Sequence, residues 1–390
     1  SSGIRDYAGR YDMEWQPAAN HYLRAGVQVT SHEYNPGVNA FNFKNAEDGQ
    51  TTKIDTSFGN KAIFSTETDA WIEDDWRILP RLKANVGVHF THFNVQGANY
   101  FSLQPRLALR YKLTPGFSLK ASYSEMTQYI LLLANTTMGL PTDLWLPVTK
   151  NIKPQQSRQG AAGLAWQIND KWQFSAEGYY KDMTNLIEYK EGASFLSISE
   201  DWEDKILQGE GWSYGAEVLL KKNAGKFTGW LGYTLAWSWR QFDGISFGEK
   251  FPYRYDRRHD IGLALTYQIN PNTNIGMSWV YGTGNAISLA YDKYLSSVYT
   301  SDWYYSAYMV ENYDTRNNFR MEAYHRMDIS LNRTKEKDWG KRTWSVGLYN
   351  AYNHKNPFFM RFGTDWDGNT HLYKYSLFPI IPAISYRFEF

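Results

Sequence analysis

The feature that most constrains this chain is a two-residue alternation of apolar and polar side chains, sustained for about ten to fourteen residues at a time. Trp172, Phe174, Ala176, Gly178 and Tyr180 alternate with Lys171, Gln173, Ser175, Glu177 and Lys181. Trp212, Tyr214, Ala216, Val218 and Leu220 alternate in the same way with Ser213, Gly215, Glu217 and Lys221. Further segments carry Leu231, Tyr233, Leu235, Trp237 and Trp239, then Ile261, Leu263, Leu265 and Tyr267, then Ile275, Met277, Trp279 and Tyr281. Successive side chains of a strand point to opposite faces, so each segment predicts a strand with one apolar and one polar side. Ordinary strands run about five or six residues, whereas a tilted strand that crosses a bilayer needs roughly nine to eleven. These segments reach the longer figure.

The connections sort into two kinds. Short turns are predicted at 16–20, 79–81, 113–116, 169–171, 223–226, 270–272 and 334–340, and long links at 35–61, 130–154, 188–211, 242–253, 288–320 and 358–377. In this reading long and short alternate without exception, which puts all the turns on one rim and all the long loops on the other. Outer-membrane barrels have that asymmetry, with short periplasmic turns and long extracellular loops. A soluble sandwich would mix its turn lengths and use shorter strands, and a propeller would repeat about every 40–50 residues. The expected fold is therefore all-β, a transmembrane antiparallel β-barrel, with about fifteen strands from near Tyr7 to Phe390. Such barrels close with an even number, so strands are expected to be missing on the N-terminal side.

Composition agrees. Mean hydropathy is −0.57, and no run of about 18 apolar residues exists, which excludes a membrane-spanning helix but not a spanning strand. The 30 Tyr, 21 Phe and 16 Trp gather near strand ends, where interfacial girdles belong. With 41 basic and 40 acidic residues there is no pull towards nucleic acid. The chain has no cysteine, no GxSxG, no HExxH and no phosphate-cradling loop, so no catalytic residue and no cofactor are expected. His89 and His92 fall on opposite faces of one strand, which argues against a shared metal. The acidic stretch Glu200, Asp201, Glu203 and Asp204 could offer oxygens to Ca²⁺ but reads more simply as a solvated loop.

Several stretches resemble TonB-dependent outer-membrane transporters, particularly those of Bacteroidetes. They are Ala70-Trp71-Ile72-Glu73-Asp74-Asp75-Trp76, Gln104-Pro105-Arg106-Leu107-Ala108-Leu109-Arg110-Tyr111 with Leu119-Lys120-Ala121-Ser122-Tyr123-Ser124, and Gly139 to Trp145 followed by Asn151-Ile152-Lys153-Pro154-Gln155. Arg254 to His259, Tyr324 to Asp328, and Tyr349-Asn350-Ala351-Tyr352-Asn353 with Asn356-Pro357-Phe358 are similar to later strand starts and to the penultimate strand. At the end, Ile384, Tyr386, Phe388 and Phe390 alternate with Ser385, Arg387 and Glu389, similar to the signal read by the outer-membrane assembly machinery. The resemblance implies a barrel of about 22 strands around a plug. Residues 1–390 would be its C-terminal barrel portion, without the plug, the first strands or the TonB-contacting segment.

The resemblance also implies import of a scarce nutrient across the bacterial outer membrane. A surface receptor or adhesin barrel, and a barrel enzyme, are the rivals. Ligand contact is expected from the Tyr-rich loop 288–320 through Tyr299, Trp303, Tyr304, Tyr305 and Tyr308, since such rings offer stacking faces with polar tips. Trp145 is expected to act with it. The group Arg254, Asp256, Arg257, Arg258 and Asp260 could grip an anionic ligand bidentately, through Arg254 and Arg258, or form an ion-pair network of the lumen wall. Expected partners are outer-membrane lipid and lipopolysaccharide, the TonB complex, the assembly machinery, a surface lipoprotein, and a small-molecule, glycan or peptide ligand.

Overall fold

A computed structural model describes residues 3–390 except 36–37, 48–49, 60–61, 134–143, 192–201, 291, 302–303 and 368. It gives the backbone only at 38–47, 50–59, 144, 292–293, 295–301, 304–309, 311, 361 and 364. Fifteen long strands form one antiparallel sheet in strict chain order. They are β1 (Gly3–Ala18), β2 (His21–Asn35), β3 (Ile63–Leu79), β4 (Leu82–Val95), β5 (Ala98–Thr114), β6 (Phe117–Gln128), β7 (Gln155–Gln167) and β8 (Trp172–Tyr189). After them come β9 (Ile206–Lys222), β10 (Phe227–Gln241), β11 (His259–Asn270), β12 (Thr273–Gly282), β13 (Tyr324–Lys337), β14 (Gly340–Tyr349) and β15 (Ile381–Glu389). No ladder joins β15 to β1 among the described strands. The longest has 18 residues and the shortest 9, so each can cross a bilayer and many rise beyond it.

Register separates the two faces, because residues directly opposite each other in a ladder lie on the same side. Phe174 is opposite Trp166 and Leu220, Leu220 is opposite Leu231, and Tyr233 is opposite Val218 and Ile261. That apolar face carries ring contacts at both rims, stacked in Tyr180–Tyr214–Trp237 at centroid separations of 6.3 and 5.4 Å and tilted in Trp344–Tyr386 at 4.8 Å. The polar face lines the interior.

The short turns lie where the sequence places them. The long-loop rim has one departure from the alternation. β4 and β5 are joined by Gln96–Gly97 alone, both at positive φ (48° and 82°), the geometry of a tight two-residue hairpin turn. Four of the other loops build their own short ladders, including Val38–Glu47 with Gln50–Gly59, Asp292–Ser301 with Tyr304–Asn312, and Pro357–Thr364 with Thr370–Ser376.

The main apolar core lies at the long-loop rim, outside the membrane span. Ile130–Leu133 and Leu144–Pro147 form a hairpin whose Leu131, Leu133 and Leu146 are buried against Tyr34, Phe93 and Val95 on the polar face of β2 and β4. Tyr129 stacks on Phe93 at 4.8 Å and donates to Ser102 Oγ at 2.8 Å, and Tyr100 donates to the Thr149 carbonyl. The loop therefore folds inward over the lumen wall.

Candidate functional site: lumen wall and outer vestibule

The stretch from Ala70 to Trp76 shows how sequence becomes wall. Trp71, Glu73 and Asp75 point to the lumen. Glu73 and Asp75 hold Arg24 on the next strand at 2.7 and 2.8 Å, and Asn85 donates to Asp75 at 2.9 Å. Trp71 lies flat over Gly26, where an added Cβ would run into the indole, and Arg10 sits 4.8 Å above the ring. Asp74 and Trp76 face lipid at the turn rim, where both meet His21, the carboxylate at 2.6 Å and the ring at 5.4 Å. One short motif thus anchors three strands on both faces.

Register also assembles a row of charges that no single strand shows. Following directly opposed residues from β3 to β11 gives Arg77, Lys83, Arg110, Lys120, Gly163, Glu177, Glu217, Thr234 and Asp260. Four cations are followed by three carboxylates around the wall. Like charges directly opposite repel. Lys83, Arg110, Lys120, Glu177 and Glu217 are exposed, and their side chains make no hydrogen bond or ion pair among the described residues. The cationic half lines a cavity of about 720 Å³ that also includes Tyr22, Asn85 and Ser122.

At the loop rim two buried carboxylates tie the long loops together. Asp256, with a fully buried side chain, accepts from Arg258 at 3.3 Å, Arg320 at 2.5 Å and the Ser238 backbone N–H at 2.7 Å. Glu188 accepts from Arg316 at 2.9 Å and Arg240 at 3.5 Å. Strand parity alone would put Glu188 on the lipid side with Trp172 and Tyr180. A bulge between Met183 and Leu186, with Asn185 at φ 57°, shifts the register and turns Glu188 to Arg240. Asn317 donates to the Pro252 carbonyl, and the Arg316 N–H to Ser246 Oγ. The base of the Tyr-rich loop is thereby fixed to the preceding loop.

A second cavity, of about 570 Å³, opens at the outer end of the lumen. Ile4, Glu67, Thr127, Gln128, Tyr129, Ile130 and Trp145 line it.

Residues 2–353 match the family described as "TonB dependent receptor-like, beta-barrel". The chain belongs to that family. Its members are receptors of the bacterial outer membrane, and this protein is an outer-membrane β-barrel. Similar solved structures include the ferripyoverdine receptor of the outer membrane of Pseudomonas aeruginosa bound to ferripyoverdine, at 14% identity and TM-score 0.61, covering 100% of this chain and 48% of that one. The ferric-catecholate import receptor Fiu of E. coli K12 is similar at 14% identity and TM-score 0.59, covering 98% and 54%. FpvAI in its complex with pyocin S2 is similar at 13% identity and TM-score 0.62, covering 100% and 49%. The chain thus spans about half the length of the solved structures it matches. No curated protein sequence matches it.

In this TonB-dependent receptor barrel the expected ligand residues fall into three groups. Trp145, half-exposed, lines the outer cavity. Arg258 pairs with Asp256 and lies 4.5 Å over the Trp237 ring, while Arg254 lies 5.7 Å from the Tyr255 ring, so both sit in the loop-base network. Tyr299, Tyr304, Tyr305 and Tyr308 occupy the hairpin Asp292–Ser301 with Tyr304–Asn312, whose backbone is described; their side chains, and all of Trp303, lie outside the described residues. Ile384, Tyr386 and Phe388 share the lipid face of β15 opposite Val346, Trp344 and Arg342, and Phe390 contacts Phe388 at 5.8 Å. Glu203 accepts from Asn151 at 2.6 Å and Asp204 is exposed, while Glu200 and Asp201 lie outside the described residues. The sequence pattern places Asp256 in an ion-pair network with Arg254, Arg257, Arg258 and Asp260, and the structure pairs it with Arg258 and adds Arg320, whereas Glu188 and Glu67 carry no such signal because each acquires its role from a distant chain segment.

Proposed function

We propose that this chain forms the wall and outer vestibule of an energy-coupled importer of a scarce nutrient. Family membership is the observation that carries the reading. A continuous polar lumen face and a loop rim braced by Asp256 and Glu188 support it. In this reading residues 1–390 act as one barrel unit, and TonB contact and the plug are contributed by segments outside them. The barrel itself performs no covalent chemistry. Ligand is captured by the outer loops, including the hairpin of residues 292–312 and Trp145, and passes along the polar wall. The C-terminal pattern Ile384, Tyr386, Phe388 and Phe390 serves recognition by the assembly machinery through strand pairing.

The test is growth of a deletion strain on limiting iron, cobalamin or glycans, complemented by the full-length gene or by one lacking residues 296–309. Import predicts a growth defect on one nutrient, rescued by the intact gene and poorly by the loop deletion at equal surface level. Equal growth of deletion and parent on every limiting nutrient would refute the reading.

A further inference from the structure

The inward-folded hairpin has two unlike sides. Leu131 (0% exposed), Leu133 (1%) and Leu146 (0%) face the core, which fixes the hairpin on the wall. Trp145 and Leu132, opposite each other in the ladder, are 49% and 39% exposed on the other side. A bare tryptophan on a rigid support presents a π-face with little entropy left to lose on binding.

Across the cavity from this surface carboxylates outnumber the basic groups beside them. Glu67 is the charged residue among the described residues that line it. On the wall behind, Asp6 and Asp69 share its face, and these three carboxylates are met by two imidazoles, His32 between Asp6 (2.8 Å) and Glu67 (3.4 Å) and His89 at 3.4 Å from Asp69. Among the described residues no lysine or arginine lines the cavity. Ile4 and Ile130 add hydrocarbon to its lining.

We propose that this cavity is a subsite for a cationic group carried on an apolar body, an amine or guanidinium attached to a ring or alkyl chain. The body lies against Trp145, Ile130 and Ile4, and the charge faces Glu67. A cation over an indole face is attracted by the ring quadrupole, and a carboxylate in a partly desolvated cavity adds a charge-assisted hydrogen bond. An anion is repelled by Glu67 and meets no lysine or arginine among the described lining residues. The proposal rests on the ligand-capture reading above and names the chemistry its outer subsite selects.

The experiment uses the full-length gene product, purified in detergent micelles, and three probes of one shape. Tryptamine carries a cation, 3-ethylindole is neutral and indole-3-propionate is an anion. Binding is measured by calorimetry and by saturation transfer from protein to probe. Tryptamine is expected to bind roughly tenfold or more tighter than 3-ethylindole, and indole-3-propionate weakest. Glu67→Gln should abolish the difference between cation and neutral probe while leaving neutral binding in place. Trp145→Ala should weaken all three, and its exposed position leaves the fold intact. Unchanged heat-modifiable mobility of both variants in gels reports an intact barrel.

Equal binding of anion and cation, or a cation preference that survives Glu67→Gln, overturns the assignment. So does absence of saturable tryptamine binding to the parent protein. Each of these outcomes leaves the import reading to the growth test, which does not depend on ligand charge.

Discussion

Asp256 offers the sharpest perturbation. Its carboxylate is fully buried and is shared by Arg258, Arg320 and the Ser238 N–H, while Arg320 also donates to the Gly284 carbonyl at 3.0 Å. Asp256→Ala removes two charge-assisted hydrogen bonds, each worth about 1.5–3 kcal/mol, and leaves one backbone donor without its acceptor. The two arginine side chains are 27% and 32% exposed, so water recovers part of that loss. A net cost of about 2–3 kcal/mol to the closed loop base follows, equivalent to roughly 30- to 150-fold more frequent opening. The short ladder it supports pairs Ala286 with Arg320 and Ile287 with Phe319. Hydrogen exchange should accelerate by that factor at Ala286 and Met321, whose N–H groups donate to Arg254 and Asn285. The amides of β11 should be unaffected. Unchanged exchange at Ala286 and Met321 would refute the idea that Asp256 braces the loop, and uniform acceleration through β11 would show a barrel-wide role instead.

Gly26→Ala should destabilise the barrel by about 1–3 kcal/mol in urea titration, because the new methyl meets the Trp71 indole, and Trp71→Ala should relieve most of that strain. Lys120→Gln should stabilise the folded chain by roughly 0.2–1 kcal/mol at low salt, by removing a like charge opposite Arg110, with the gain shrinking as salt rises. Gly97→Val forces a β-branched residue to φ 82° and should loosen the β4–β5 hairpin, seen as faster exchange at Val95 and Ala98 with the rest of the sheet unchanged. In the loop 365–371, the His371 hydrogen bond, followed by the Asn369 N–H, holds the Asp365 carboxyl below the usual carboxylate range. Because that value is depressed in the folded loop, its support is full above the ordinary carboxylate pKa and is lost as pH falls through the lowered one. Amide exchange at Asn369, corrected for intrinsic rate, should stay protected at pH 5 and lose protection only in stronger acid.

The sequence by itself determined the strands, their two faces and the rims, because an alternation of period two and a turn of a few residues are local properties. Trp172 to Tyr180, Trp212 to Leu220 and Ile261 to Tyr267 carry their membrane face in their own order of residues. Tertiary structure decided everything that depends on what lies across a ladder. Lys83, Arg110 and Lys120 are ordinary basic residues of three strands until register sets them side by side. Glu188 joins Arg240 only because a bulge at Asn185 changes parity, and a one-residue slip moves a side chain to the other face. The hairpin carrying Trp145 reads as part of a long surface loop, and its burial comes from Tyr34, Phe93 and Val95, more than thirty residues away in the chain. Local pattern fixes which face a residue occupies. Only pairing and loop packing fix its neighbours, and a site is made of neighbours.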